Sequence, residues 1–211
     1  MTNEYAYYKF PSYGYLNKKF EPIDLEPLII EIENIKNNIN TLETANKKLA
    51  GQIDRQFTLS TSKSYIEQIL LPFANEYDNI FNYFGSFSFF NEKPTLVLDD
   101  LWVNFQKKYE YNPVHDHAGV LSFVIWINVP YDIKNEIKSA PGSGSLFPKS
   151  GSFEFLYATN IGKISSEIIP VTKELELTAI IFPSTFLHQV YPFYTSDDYR
   201  ISVSGNFKFK F

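Results

Sequence analysis

The 211-residue sequence predicts a mainly β chain, a sandwich or jelly-roll-like barrel with N-terminal helices packed on one face. Three observations lead there. Aromatic residues make up 18% of the chain, 20 Phe and 15 Tyr among them, and they are spread along its length. Aromatic and β-branched side chains fit the pleated, half-buried surface of a sheet. From Pro94 onward the chain breaks into short runs of Val, Ile, Phe and Tyr divided by turn-forming segments, with no helical pattern between them. Before Pro94 the apolar residues recur at helical spacing instead. Residues 1–211 therefore read as one domain, with 1–93 a largely helical support region and 94–211 the β core.

Taken in order, Asp24 is placed to cap a helix over about 25–38, in which Leu25, Leu28, Ile29, Ile32 and Ile35 form one face. Pro27 falls in its first turn, where a missing N–H costs little. Thr41 to Gly51 reads as a short helix ended by Gly51. A longer helix over 63–84 carries the stripe Ile66, Ile69, Leu70, Phe73, Tyr77, Ile80, Phe81 and Phe84, and Pro72 inside it should kink or split it. Such stripes serve to pack on a sheet. The strands follow: Leu96–Tyr109, Val120–Val129, Phe153–Ala158, Ser165–Ile169, Leu177–Phe182 and Arg200–Phe209. Between them lie turn segments at Asn112-Pro113, Ala140–Gly144, Asn160–Gly162 and Thr195–Asp198, and a rim or lid loop at Tyr131–Ser152.

A hydrophobic share of 44% and a charged share of 20% describe a packed globular chain. The net charge of −5 argues against nucleic acid as a bulk electrostatic partner. No basic-then-apolar leader is visible at Met1–Phe20, and nothing approaches the roughly 18 consecutive apolar residues of a membrane span. The expectation is a cytoplasmic protein, in the host cytoplasm for a viral source. With no Cys, any metal must be held by His or carboxylates.

The chain has three His, and their placement is its strongest signal. His115 and His117 precede the apolar run Leu121–Val129, and His188 follows the run ending at Phe182. In a strand, residues i and i+2 share a face, so His115 and His117 point together and Asp116 points away. A third imidazole from a distant strand closes one side of a coordination sphere and leaves positions open for substrate and dioxygen. Downstream, Arg200 and Ser202 share a strand face. A guanidinium facing into a barrel needs a partner, and its planar fork matches a carboxylate. The plainer reading of Arg200 is a surface residue paired with Asp197 or Asp198.

With His-x-His, a distal His188 after Phe182-Pro183-Ser184, then Arg200-Ile201-Ser202, the segment from Trp102 to Phe207 resembles the 2-oxoglutarate- and iron(II)-dependent oxygenases. The similarity is to their phage-type and prolyl-hydroxylase-like groups. The run Leu121–Ile127 behind the His pair adds to it. The resemblance implies a double-stranded β-helix, cupin-like in outline, with His115 and His188 as iron ligands and Arg200 with Ser202 on the distal carboxylate of 2-oxoglutarate. It puts Trp126 in the wall of the pocket and Asn104 on the strand facing the cosubstrate's metal-binding end. It implies iron(II), 2-oxoglutarate and dioxygen, and hydroxylation of a small-molecule or peptide substrate, prolyl or other. Where most of that family has a carboxylate after the first His, this chain has His117; Asp116 would serve only through a bulge that turned it inward. A cupin-type three-histidine protein that does not use 2-oxoglutarate, a three-His zinc enzyme and a non-catalytic jelly-roll module are the rival readings. An inward Arg200 separates the 2-oxoglutarate reading from all of these rivals.

Overall fold

The computed structural model describes residues 12–87 and 94–210. In chain order the elements are β1 (Leu16–Lys19), α1 (Glu26–Asn37), β2 (Gln56–Thr58), α2 (Lys63–Phe81), β3 (Thr95–Gln106), β4 (Asn112–His115) and β5 (Leu121–Asn128). Then come α3 (Ile133–Ser139), β6 (Ser152–Ala158), β7 (Ile164–Pro170), β8 (Thr178–Pro183), β9 (Leu187–Val190) and β10 (Arg200–Lys210). They form two antiparallel sheets, a six-stranded one in the order β1-β8-β5-β10-β3-β2 and a four-stranded one in the order β4-β9-β6-β7.

The large sheet is covered on both faces, which is why residues 123–127 of β5 read as an unbroken apolar run rather than an alternating one. Phe123, Ile125, Val203 and Phe207 join the core with Leu28, Ile32, Ile66, Leu70 and Tyr77 of the helices. Val124, Trp126, Ile180 and Phe182 join Phe153 and Phe155 of the small sheet in a second core. The site described below is set in this second layer, between the sheets.

Several expectations need correcting. Asp24 lies inside a 3-10 turn (Pro22–Leu25) that precedes α1, where its carboxylate accepts the Glu21 N–H at 3.2 Å. The stretch from Thr41 to Gly51 holds only a 3-10 turn at Asn46–Lys48. The Asn46 amide is drawn away to β2, donating to the Ile53 carbonyl at 2.7 Å and accepting from Gln56 N at 3.2 Å, and such side-chain bonds compete with helix. Helix α2 runs through Pro72 as one element and stops at Asn82, whose φ of 49° is a left-handed cap, short of Phe84. The Asn112-Pro113 turn is instead strand β4, with an irregular register between Asn112 and His115. The loop after Tyr131 contains α3, capped by Asp132, whose carboxylate accepts from Asn135 N at 2.9 Å. Among the described residues no helix is long and apolar enough to cross a membrane.

On the small sheet Glu154, 1% exposed, gathers Lys149 Nζ (2.6 Å), Gln189 Nε2 (2.6 Å) and Tyr191 Oη (2.7 Å), tying β6 to β9. Burial raises its pKa, but hydrogen bonds from Lys149, Tyr191, Ser166 and Gln189 outweigh that and hold the carboxyl at about 2. The unfolded chain's glutamate titrates higher, so the stabilisation is complete above the ordinary value and is lost as pH falls through about 2. Glu154→Gln is expected to lower stability at neutral pH by about 1–3 kcal/mol and to flatten the loss on acidification below pH ~5. Urea unfolding across that range checks it; an acid limb identical to that of the parent protein would contradict the assignment.

Candidate metal centre

The register of the small sheet builds the first half of the site. Strand β4 pairs with β9 so that His115 stands directly opposite His188. His117 lies just beyond the end of β4 rather than on the strand, and its backbone N–H donates to the Ser184 carbonyl at 2.9 Å. Gly119 then takes φ 108° in the link to β5, where an added Cβ would sit 2.7 Å from the Phe207 carbonyl oxygen. The result is that the three imidazoles converge, with ring centroids 4.3 Å (His115–His188), 4.9 Å (His115–His117) and 5.0 Å (His117–His188) apart. Their ligand nitrogens all lie within 4.8 Å of one another, and this is the one such group of metal-ligating side chains among the described residues.

The tautomers suit a metal. His115 Nδ1 is 2.7 Å from the Pro113 carbonyl and His188 Nδ1 is 2.8 Å from the Phe186 carbonyl. A carbonyl only accepts, so each Nδ1 carries the proton and each Nε2 keeps its lone pair. Ring contacts hold the set: Phe153 stacks on His188 at 5.3 Å, and Trp102 lies 5.6 Å from His117. The donors are neutral, nitrogenous and grouped on one side, which fits iron(II) as well as other divalent transition metals. Asp116 is exposed and does not line the cavity.

The second half comes from the large sheet. Asn104, His115, His117, Trp126, His188, Arg200 and Ser202 all line one cavity between the sheets. Ser202 pairs with Asn104 on one side and Trp126 on the other. The Asn104 amide accepts from Gln56 Nε2 at 2.7 Å and donates to Ser202 Oγ at 3.2 Å, so the Ser202 hydroxyl proton remains available to a ligand. Arg200 is 2% exposed and carries no carboxylate partner among the described residues; Asp197 pairs with Lys108 instead. Its guanidinium donates to Gln106 Oε1 (3.2 and 2.7 Å), Tyr131 Oη (2.8 Å) and the Tyr191 carbonyl (2.8 Å). Sequence reasoning missed Gln106 and Tyr131, although Gln106 is two residues beyond Asn104 on the same strand face.

Residues 100–206, about half of the chain, match the family of 2OG-Fe(II) oxygenases. No curated protein matches the chain in sequence. Among solved structures it is similar to a prolyl-4-hydroxylase from Pseudomonas putida (TM-score 0.54, 13% identity, covering 95% of both chains). It is also similar to the viral collagen prolyl hydroxylase of Paramecium Bursaria Chlorella virus-1 in its 2OG complex (0.50, 12%, 92% of this chain and 94% of that one). A third is the non-haem, α-ketoglutarate-dependent epimerase SnoN of nogalamycin biosynthesis (0.56, 11%, 92% and 77%). At such identities the likeness shows the fold, the double-stranded β-helix.

Burial is the first cause of a lowered pKa at all three imidazoles. At His115 the Pro113 carbonyl partly offsets it; at His117 and His188 the neighbouring His115 adds to it, giving values of about 4 and about 3. The unfolded chain's histidines protonate near the ordinary value of 6.5, so acidification below that value favours unfolding. Long-range proton–nitrogen NMR of the metal-free protein at pH 6 should show neutral His117 and His188, with His115 and His188 protonated on Nδ1. An imidazolium signal from His188 at that pH would contradict this geometry.

Proposed function

Because this chain belongs to the family of 2OG-Fe(II) oxygenases, we propose that it hydroxylates a small-molecule or peptide substrate while 2-oxoglutarate is decarboxylated to succinate. The observation that carries this reading is that one cavity is lined both by three neutral imidazoles and by a buried guanidinium with no carboxylate partner among the described residues.

In this reading His115, His117 and His188 hold iron(II), and Arg200 with the Ser202 hydroxyl takes the distal carboxylate of 2-oxoglutarate. Iron(II) bound with 2-oxoglutarate supplies the oxidising chemistry with dioxygen. The protein's part is position and exclusion of water. Two Nδ1–carbonyl bonds aim His115 and His188, and the Phe153 ring shields His188. The Trp126 indole, 2% exposed, closes the wall beside Ser202, and the Asn104 amide turns the Ser202 proton toward the cosubstrate. Hydroxylation of a prolyl residue is consistent with the named activities of two structural neighbours, whereas the third is an epimerase, so the fold leaves the substrate open.

Anaerobic loading with iron(II) followed by 2-oxoglutarate should give the visible charge-transfer band of the chelate, and air should then release succinate. Absence of both would sink the proposal. Arg200→Ala should weaken 2-oxoglutarate roughly 10- to 100-fold with metal affinity unchanged. His188→Ala should reduce metal affinity by roughly 100-fold or more, while Asp116→Ala leaves it unchanged. Calorimetry with each variant separates the roles, and metal loss in Asp116→Ala would move the ligand assignment to that carboxylate.

A further inference from the structure

We infer that Gln106 is a positioning residue for the cosubstrate, one that aims the Arg200 guanidinium without placing a carboxylate against it. This rests on the reading of Arg200 as the anchor of the distal carboxylate. Gln106 Oε1 accepts from both Nε (3.2 Å) and Nη2 (2.7 Å) of Arg200 and so grips one edge of the planar group. Its own amide is fixed from behind, because Gln106 Nε2 donates to the Glu110 carbonyl at 2.6 Å in the turn between β3 and β4. With Tyr131 on Nη1 and the Tyr191 carbonyl on Nη2, four of the five guanidinium N–H groups are engaged. The one left over is on Nη1.

Every acceptor in that set is neutral. An edge grip on an arginine is ordinarily the place for a carboxylate, which would match the fork and cancel the charge. Three carboxylates on neighbouring segments make their hydrogen bonds elsewhere, and none of them bonds the guanidinium. Glu110 accepts from Lys107 N (2.7 Å) and Asp54 N (3.1 Å). Buried Glu136, whose charge acts on Tyr131, accepts from Tyr194 N, Thr195 N and Thr195 Oγ1. Glu154 is engaged by Lys149, Gln189 and Tyr191. A cation enclosed in a low-dielectric layer with neutral partners alone keeps its field for an incoming anion, and a glutamate at 106 would spend that field on the protein.

The test compares 2-oxoglutarate with 2-oxobutyrate, which has the same metal-binding end but no distal carboxylate, by calorimetry on Mn(II)-loaded protein. The parent protein should favour 2-oxoglutarate by roughly 10-fold or more. Gln106→Glu should bring 2-oxoglutarate down to the level of 2-oxobutyrate, with the affinity for 2-oxobutyrate and for Mn(II) unchanged. Gln106→Met, which removes the grip but adds no charge, should lose less. Both variants forfeit the bond to the Glu110 carbonyl, and Gln106→Glu alone keeps an acceptor on the guanidinium, so a larger loss in Gln106→Glu is set by its added charge and not by a lost grip. If Gln106→Glu keeps the parent's preference, or if Gln106→Met binds 2-oxoglutarate more weakly than Gln106→Glu, the inference is overturned. A parent protein with no preference would count against the role of Arg200 itself, which is a different failure.

Discussion

Strand register is the constraint on which the site depends. His115 meets His188 because β4 and β9 pair in one register. Arg200 meets Gln106, and Ser202 meets Asn104 and Trp126, because β10 sits in one register between β3 and β5. A slip of one residue in β10 would turn Arg200 toward the helices, into a layer built from Leu28, Ile32, Leu70 and Phe105. Burial on both faces of the large sheet prevents that slip. Phe123 and Ile125 have to face the helices while Val124 and Trp126 face the small sheet, and neither set can exchange places at low cost. The apolar layers thus hold the polar site in alignment.

The two ends of the cavity are held by different means. At the imidazole end, aim comes from the backbone: Pro113 and Phe186 each present a carbonyl to the ring two residues later, so the chain's own path sets the tautomers. At the guanidinium end, aim comes from side chains and one carbonyl drawn from three separate segments, with Gln106 on β3, Tyr131 before α3 and Tyr191 after β9. Tyr131 is itself anchored by donating to the Gly151 carbonyl at 3.1 Å. A group fixed by several distant segments is held only when all of them are folded, so the guanidinium end depends on the whole tertiary structure.

Much of this was legible in the sequence, and the physical reason differs by element. Strands β3, β5, β6, β7, β8 and β10 and helices α1 and α2 carry patterns long enough to show a period, and those expectations match the fold. Strands β1, β2, β4 and β9 are three or four residues long and exist because a partner strand lies alongside, which no local pattern records. The expected helix at Thr41–Gly51 failed because the Asn46 side chain found backbone partners across the sequence. Within the site, the imidazoles and Arg200 stood out because they are scarce and chemically distinctive. Gln106 and Tyr131 did not, because an amide and a phenol in apolar surroundings look like ordinary strand and loop residues until a guanidinium is seen between them.

Charge ties the two ends together. On the proposed assignment a divalent ion sits among three uncharged imidazoles, so the metal end is one unit more positive than it would be with a carboxylate among its ligands. The far end holds a guanidinium with neutral partners only. A ligand that places one carboxylate at each end cancels the guanidinium and lowers the metal end from +2 to +1, whereas a monoanion reaches one end only. The substitution of histidine for the expected carboxylate and the choice of glutamine beside Arg200 then work in the same direction. Each keeps a positive charge unspent by the protein, and together they favour a cosubstrate that brings an anionic group to both the metal and the guanidinium.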